Sequence, residues 1–467
     1  MSSMNWVRSI GERLRPENVF LGLALTFGLA VMIANPPFQA PDEGDHFYRA
    51  FQISEGTVVG EKGFGNAGGA LPVIAFRVAD PENISFHPEV KMTAAIWRKK
   101  ADPAWIDWSK AERAFCGFPH SVVYPPTSYV PQAAAIFIGR LIHLGLLGLM
   151  YLARLVGFAA SIALGYAALR RLPVFRWSAL VLLLCPMSLY LFGSMASDGV
   201  LITAAFLLLA VSARITLDEP RRATWRELAL VVTLGGVLTL AKVVYLPLAS
   251  VALLLVTPRL ESVQRKLIFG AAWAAVCLLP LALWGRVIAG IYIPGRNDIP
   301  IDPAAQWLVV SKAPFAFLGL VAKSIWIEAA GIYRWFVGTL GWGDTPMPDW
   351  FYYLFGWGLL ACLIAEASDA HRIKGWQRLA LLGAGTSAVV MIFGAQYATW
   401  NAPGSRTPIE GIEGRYFLPL APLIVLAFPP LGKLRVPRVV APWLGTGLTT
   451  LGALVCLVAE VDRYYFD

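Results

Sequence analysis

An all-α polytopic membrane fold of about eleven crossings is what this sequence predicts, and three observations carry that reading. Its 467 residues are 57% hydrophobic and only 15% charged, with a mean hydropathy of +0.60, a balance typical of chains whose solvent is largely lipid. Apolar runs of spanning length recur from one end to the other. The Lys and Arg residues behind the formal net charge of +9 gather in short stretches between those runs, so the charge reports orientation and not a nucleic-acid partner.

The first run, 19–35, follows Arg8, Arg13 and Arg15 and has no small-residue cleavage site after it, so it reads as a retained signal anchor. Further runs cover 149–169, 177–194, 199–213, 267–284, 350–365, 379–397, 416–431 and 439–459, and one long run, 228–256, is interrupted by Lys242. The basic clusters Arg170/Arg171/Arg176, Arg214/Arg221/Arg222/Arg226, Arg259/Arg265/Lys266, Arg372/Lys374/Arg378 and Lys433/Arg435/Arg438 then share one side with the N-terminus, which is cytoplasmic by the positive-inside rule. Parity has two consequences. The 228–256 run must go up and back as two short half-helices that turn near Lys242, and the apolar segment 129–142 must not cross. The whole chain reads as one transmembrane domain, with outer segments at 36–126, 286–348 and 399–415. The first of these has too few apolar runs for a core of its own, and Trp97, Trp105 and Trp108 suggest helices lying on the membrane surface.

Cys116, Cys185, Cys277, Cys362 and Cys456 are scattered, and all except Cys116 lie in apolar runs, so neither a zinc site nor a disulfide framework is indicated. No internal repeat or matched pair of broken helices points to a secondary transporter.

Chemistry concentrates at the outer ends of the spans. Asn35-Pro36-Pro37-Phe38-Gln39-Ala40-Pro41 cannot be helical, so it leaves the bilayer as an extended segment that holds Asp42 and Glu43 against the membrane face, with Asp45 and His46 following. This is a place for a catalytic base, or for an acidic turn with Asp42 as helix N-cap and Asp45/His46 solvated. Asp198 reads as an N-cap or as a site residue. Lys242 lies between two apolar halves, where a cation costs ~2.5 to 3.5 kcal/mol unless it meets an anion. Arg415-Tyr416 opens the span after Gly411-Ile412-Glu413-Gly414, on the same face.

A single span, a long outer loop that opens with Asp-Glu, Tyr124-Pro125-Pro126 before the next helix and an outer acidic residue after the third span resemble the GT-C superfamily of polyprenyl-phosphate-sugar glycosyltransferases. Pro41-Asp42-Glu43 with His46 and Arg49-Ala50, Ala241-Lys242-Val243-Val244-Tyr245, Val337-Gly338-Thr339-Leu340-Gly341-Trp342 with Asp344-Thr345 and Pro348, and Gly414-Arg415-Tyr416-Phe417-Leu418-Pro419-Leu420 resemble, more narrowly, a family of bacterial polytopic membrane proteins within it. The resemblance implies a GT-C-like bundle in the bacterial inner membrane and transfer of a sugar from a polyprenyl-phosphate donor to a glycan, lipid or protein acceptor on the outer face. It gives Asp42 the role of base with Glu43 beside it; an inverting transfer also needs cations on the departing phosphate, for which Lys242 and Arg415 are the candidates, and His46, Asp198, Tyr245 and Tyr416 are the candidates for substrate binding. Some relatives hold a divalent ion between carboxylates, for which Asp42, Glu43 and Asp198 are the residues here, with Mg or Mn as the ion. Glu413 is an expected competitor for Arg415. A polysaccharide polymerase or ligase is expected to work instead from outer-loop His and Arg residues, and a flippase or transporter to set its charges along a through-path.

Overall fold

The computed structural model describes residues 14–77, 84–100, 105–218, 222–296, 298–431, 436–437 and 439–466. Of the basic clusters, Arg8, Arg13, Arg221, Lys433, Arg435 and Arg438 lie outside these residues. The first helix, α1 (Pro16–Ala34), starts on a proline whose missing N–H costs nothing in a first turn. A π-helical turn at Ala24–Gly28 interrupts it. Gly28 stands there because a Cβ would come within 2.6 Å of the Phe158 ring.

Beyond α1 the chain builds a small α+β layer. Helix α2 (Glu43–Ser54) buries Phe47, Tyr48 and Phe51 against an antiparallel sheet, β1 (Glu61–Gly63), β2 (Asn66–Pro72) and β3 (Arg113–Gly117), in the order β1-β2-β3. Gly68 pairs with Gly117 and Gly69 with Cys116. The sheet is absent from the sequence-based expectation because Asn66-Ala67-Gly68-Gly69-Ala70-Leu71-Pro72 has no β-branched residue and reads as loop. What it has is smallness: a Cβ on Gly68 would fall 1.9 Å from the Cys116 carbonyl oxygen. Trp108 is 5% exposed, packs edge-on against Phe51 and donates from Nε1 to the Leu144 carbonyl, so it belongs to a core and not to a membrane-surface helix. Trp97 lies half-buried near Tyr464, and Trp105 alone is exposed. Leu146, Leu149, Met150 and Ala153 complete this second core. The layer is therefore docked on the bundle and is not a free-standing domain. Helix α3 (Val130–Leu141) has 12 residues, or ~18 Å, too short to cross.

Next come α4 (Leu146–Arg171), the broken pair α5 (Arg176–Leu183) and α6 (Pro186–Phe192), and α7 (Asp198–Leu217). Of the described helices long and apolar enough to cross a membrane, α7 is the most enclosed, with 83% of its apolar window buried, and it packs along α4. Helices α8 (Trp225–Ala241) and α9 (Leu246–Val256) form the hairpin expected around Lys242. Gly235 and Ala249, on either side of Lys242, approach so closely that a Cβ on Gly235 would lie 3.1 Å from that of Ala249. At the far end, the Arg265 guanidinium sits 4.9 Å over the Trp225 ring, which places both ends of the 228–256 run together.

The remainder is α10 (Val263–Ile291), α11 (Pro303–Lys312), α12 (Pro314–Val337), α13 (Asp349–Ala365), α14 (Gly375–Trp400), α15 (Gly414–Ala427) and α16 (Val440–Tyr465). Among the described residues seven helices are long and apolar enough to cross a membrane: α1, α4, α7, α10, α12, α14 and α16. Helix α12 lies inside 286–348, where no spanning run is expected, because Lys323, Glu328 and Arg334 interrupt its hydropathy. Its neighbours are Tyr397, Ile409 and Gly414. Only 11% of the apolar window of α10 and 17% of that of α12 are buried, leaving Leu267, Leu279, Phe315 and Trp326 outward, as lipid-facing helices require.

Candidate functional site

The extended exit from α1 is fixed by one polar knot. Glu43 and Arg154 are both fully buried and meet in a fork, Nε to Oε1 at 2.8 Å and Nη2 to Oε2 at 2.5 Å. The other Arg154 donors go to the carbonyls of Met32, Asn35 and Pro36, and the Met195 N–H donates to Glu43 Oε1. Every donor of the guanidinium is thus used, which is the condition for holding an ion pair out of water. Glu43 is a structural anchor and does not line the cavity beside it.

Asp42, one residue earlier, faces the other way. It sits at the N-cap of α2 with φ of 57°, and its side chain makes no cap bond, so the capping alternative does not hold. Its carboxylate instead meets Arg415 Nη2 at 3.1 Å on the wall of a cavity of about 750 Å³. Asp198 is the first residue of α7, with Ser197 and not Asp198 at the N-cap position, and its carboxylate meets Lys242 Nζ at 2.8 Å. The Lys242 ammonium also lies 5.7 Å from the Tyr124 ring and 5.3 Å from that of Tyr416. Helix α8 ends in extended backbone at Lys242, so the hairpin turn itself aims this cation into the cavity.

Arg415 is 4% exposed and shared between two carboxylates, with Glu413 Oε2 2.5 Å from its Nε. That second contact is an ion pair without hydrogen-bond alignment, and Nη1 has no hydrogen-bond partner among the described residues. Gly414 brings the arginine here: a Cβ would fall 2.2 Å from the Ile332 carbonyl oxygen, so only glycine lets this loop press against α12.

His46 Nδ1 is 2.6 Å from the Tyr129 hydroxyl, and its ring lies near that of Tyr124. Burial pushes the imidazole down to about 4, against the pull of Asp42 and Asp198, so it is neutral at pH 7. Burial also raises Asp42, but the opposing charges around it, that of Arg415 first among them, outweigh burial and hold the carboxyl below its usual range. Asp45, one helical turn on, is raised by burial and by the Asp42 charge to about 7. The two carboxyls therefore divide, one ionised and one near its titration midpoint, as acid and base groups of a shared site do.

Asp42, His46, Asp198, Lys242, Arg415 and Tyr416 thus converge on one cavity from segments far apart in the chain. Glu43 and Tyr245 do not line it; the Tyr245 hydroxyl donates to the Tyr416 carbonyl from behind. Asp344 pairs with Arg463 and is part of the scaffold. Lining residues that the sequence did not single out for the site include Asp45, His120, Trp342 and Trp400. Only Asp45 carried a usable signal, being on the same helix face one turn from Asp42. Among the described residues no cluster of three or more His, Cys, Asp or Glu side chains is placed to hold a metal ion. The expected trio is split, Glu43 by Arg154, Asp198 by Lys242 and Asp42 by Arg415, so these residues do not fit a divalent ion as they stand.

Fold and site define a helical membrane protein with a polar cavity enclosed by its bundle and a docked layer. The chain belongs to the family described as predicted membrane protein (DUF2142), which matches residues 25–424. No curated protein and no solved structure matches it.

Proposed function

We propose that the chain is a GT-C-like membrane glycosyltransferase that moves a sugar from a polyprenyl-phosphate donor to a glycan, lipid or protein acceptor. In this reading about eleven crossings, the long helices other than α12 together with the short α5–α6, α8, α9, α13 and α15, put the N-terminus in the cytoplasm and the cavity at the outer face of the bacterial inner membrane, with α12 on the outer side. The observation that carries it is Asp42, an ionised carboxylate facing the same cavity as the incompletely bonded Arg415 and the Asp198-paired Lys242.

The chemistry is an inverting displacement. The acceptor oxygen forms its bond to the sugar anomeric carbon as the bond from that carbon to the phosphate oxygen breaks; the acceptor proton passes to Asp42, and the departing phosphate keeps the electron pair. Arg415 and Lys242 stabilise that phosphate. The acidic neighbours sharpen the requirement, because the phosphate must compete with Asp42 and Glu413 for Arg415. Exchange of the phosphate onto Arg415 releases Asp42 from its ion pair and makes it the stronger base.

Incubating the purified protein with polyprenyl-phosphate sugars and an envelope glycan fraction is expected to release polyprenyl phosphate. Release only from polyprenyl-pyrophosphate substrates would favour a polymerase or ligase. Movement of intact donor across a vesicle bilayer with no release would replace transfer with flipping.

A further inference from the structure

Two aromatic pairs stand on the cavity wall in addition to the charged residues. Phe86 and Trp342 have ring centroids 4.6 Å apart, and His120 and Trp400 have theirs 6.2 Å apart. Phe86 is 64% exposed, an unusual placement for a large apolar ring even with the tilted Trp342 ring beside it. The second pair is pinned by glycines: a Cβ on Gly411 would lie 2.6 Å from the Trp400 ring, and one on Gly295 2.4 Å from that of His120. Among these rings lie three buried polar atoms of cavity-lining residues that have no hydrogen-bond partner among the described residues, namely Trp342 Nε1, the Tyr292 hydroxyl and Asp45 Oδ2. Each such atom carries a desolvation cost until something bonds to it.

The occupant must present apolar faces and hydroxyls together. A polyprenyl tail satisfies the rings and leaves the three polar atoms bare, and a phosphate does the reverse. A pyranose ring does both, with axial C–H groups on one face for an aromatic ring and equatorial hydroxyls for Trp342, Tyr292 and Asp45. Charge selects further. The lining carboxylates Asp42, Asp45, Asp198 and Glu413 outnumber the cations Lys242 and Arg415 by four to two, so an acidic sugar meets net repulsion even with Asp45 protonated. We propose that the Phe86/Trp342 and His120/Trp400 walls form a subsite for one uncharged pyranose ring, separate from the phosphate end at Lys242 and Arg415. The subsite deepens the transferase reading and rests on it for the source of that ring, which is the donor's sugar or the acceptor's terminal residue.

The test is calorimetric binding in nanodiscs with four probes: polyprenyl phosphate, polyprenyl-phosphate hexose, a methyl hexopyranoside and the matching methyl hexuronoside. In wild type the hexose is expected to tighten lipid-phosphate binding by at least ~10-fold, and the hexopyranoside to bind at least ~10-fold tighter than the hexuronoside. Trp342→Ala and Trp400→Ala should each cut the hexose increment to under ~3-fold while polyprenyl phosphate itself binds as before. Asp45→Leu should reduce it and Asp45→Asn should keep most of it. Competition between the hexopyranoside and polyprenyl-phosphate hexose assigns the ring to the donor, and simultaneous binding assigns it to the acceptor; both support the subsite. Equal weakening of bare polyprenyl phosphate in the Trp variants, or equal binding of hexuronoside and hexopyranoside, overturns it. Failure of polyprenyl phosphate to bind wild type, with Trp342-dependent hexopyranoside binding intact, removes the lipid-donor reading and leaves the subsite standing.

Discussion

Asp42 and Glu43 are adjacent carboxylates with opposite fates. Glu43 meets an arginine whose every donor is engaged, at zero exposure, and does not line the cavity. Asp42 meets an arginine shared with Glu413, with Nη1 left without a hydrogen-bond partner, on the wall of a cavity. Where a buried ion pair is completely satisfied, any change removes something already in use, so the pair can only be structural. Where it is incompletely satisfied beside open space, an incoming ligand has bonds to make, and the pair can take part in chemistry.

The sharpest way to break this contrast is to disturb the satisfied knot. Arg154→Met strands the Glu43 carboxylate in a dry bundle, and a stability loss of ~3 to 5 kcal/mol is expected, read as a collapse of the melting temperature or of monodisperse yield. A well-folded Arg154→Met protein that has lost only activity would move Glu43 back into the site. Asp42→Asn tests the other member of the contrast. It removes the proton acceptor at constant volume, so transfer should drop at least ~10²-fold, or ~2.7 kcal/mol of barrier. Melting should change little, because the Asp42 side chain is 32% exposed. Turnover at the wild-type rate would end the assignment.

Lys242 sits between the two extremes, since its partner Asp198 is almost as buried as Glu43 while the cavity stays open beside it. Lys242→Met is expected to cost ~1 to 3 kcal/mol by leaving Asp198 unpaired, and adding Asp198→Asn should recover most of that loss. The double variant should still bind polyprenyl phosphate more weakly than wild type. Equal affinity would confine Lys242 to a structural role.

The last effect is graded and appears as a slope with pH. Asp45 is raised in the folded protein to about 7 from an ordinary carboxylate value near 4. The native state therefore holds a proton that the unfolded chain releases, and the contribution of this group to stability falls as pH rises through that window. His46, lowered to about 4, contributes the opposite sign below its ordinary value near 6.5, because there the unfolded chain takes up a proton that the native state does not. Asp45→Asn should consequently gain stability relative to wild type between about pH 4.5 and 7, by up to ~1.4 kcal/mol per pH unit. Melting curves at several pH values check this, and a pH-independent difference would place Asp45 in contact with solvent.

The sequence by itself determined what is local or additive. Runs of apolar residues mark the membrane class and most of the spans, prolines force the extended exit before Asp42, and the cation at Lys242 marks the turn of the hairpin because both flanks are too apolar to hold it elsewhere. Tertiary structure alone decided the pairings. Nothing near Glu43 in the sequence distinguishes it from Asp42; Arg154 does, from a helix 111 residues on. Asp198 looked like a helix cap until Lys242, 44 residues away, came within 2.8 Å. The β2 strand has no strand-forming composition, and only the closeness of β3 explains its glycines. Hydropathy and backbone restriction act over a few residues and can be read from them, whereas a buried charge is settled by whichever opposite charge the packed helices bring to it, and that distance exists only in the folded chain.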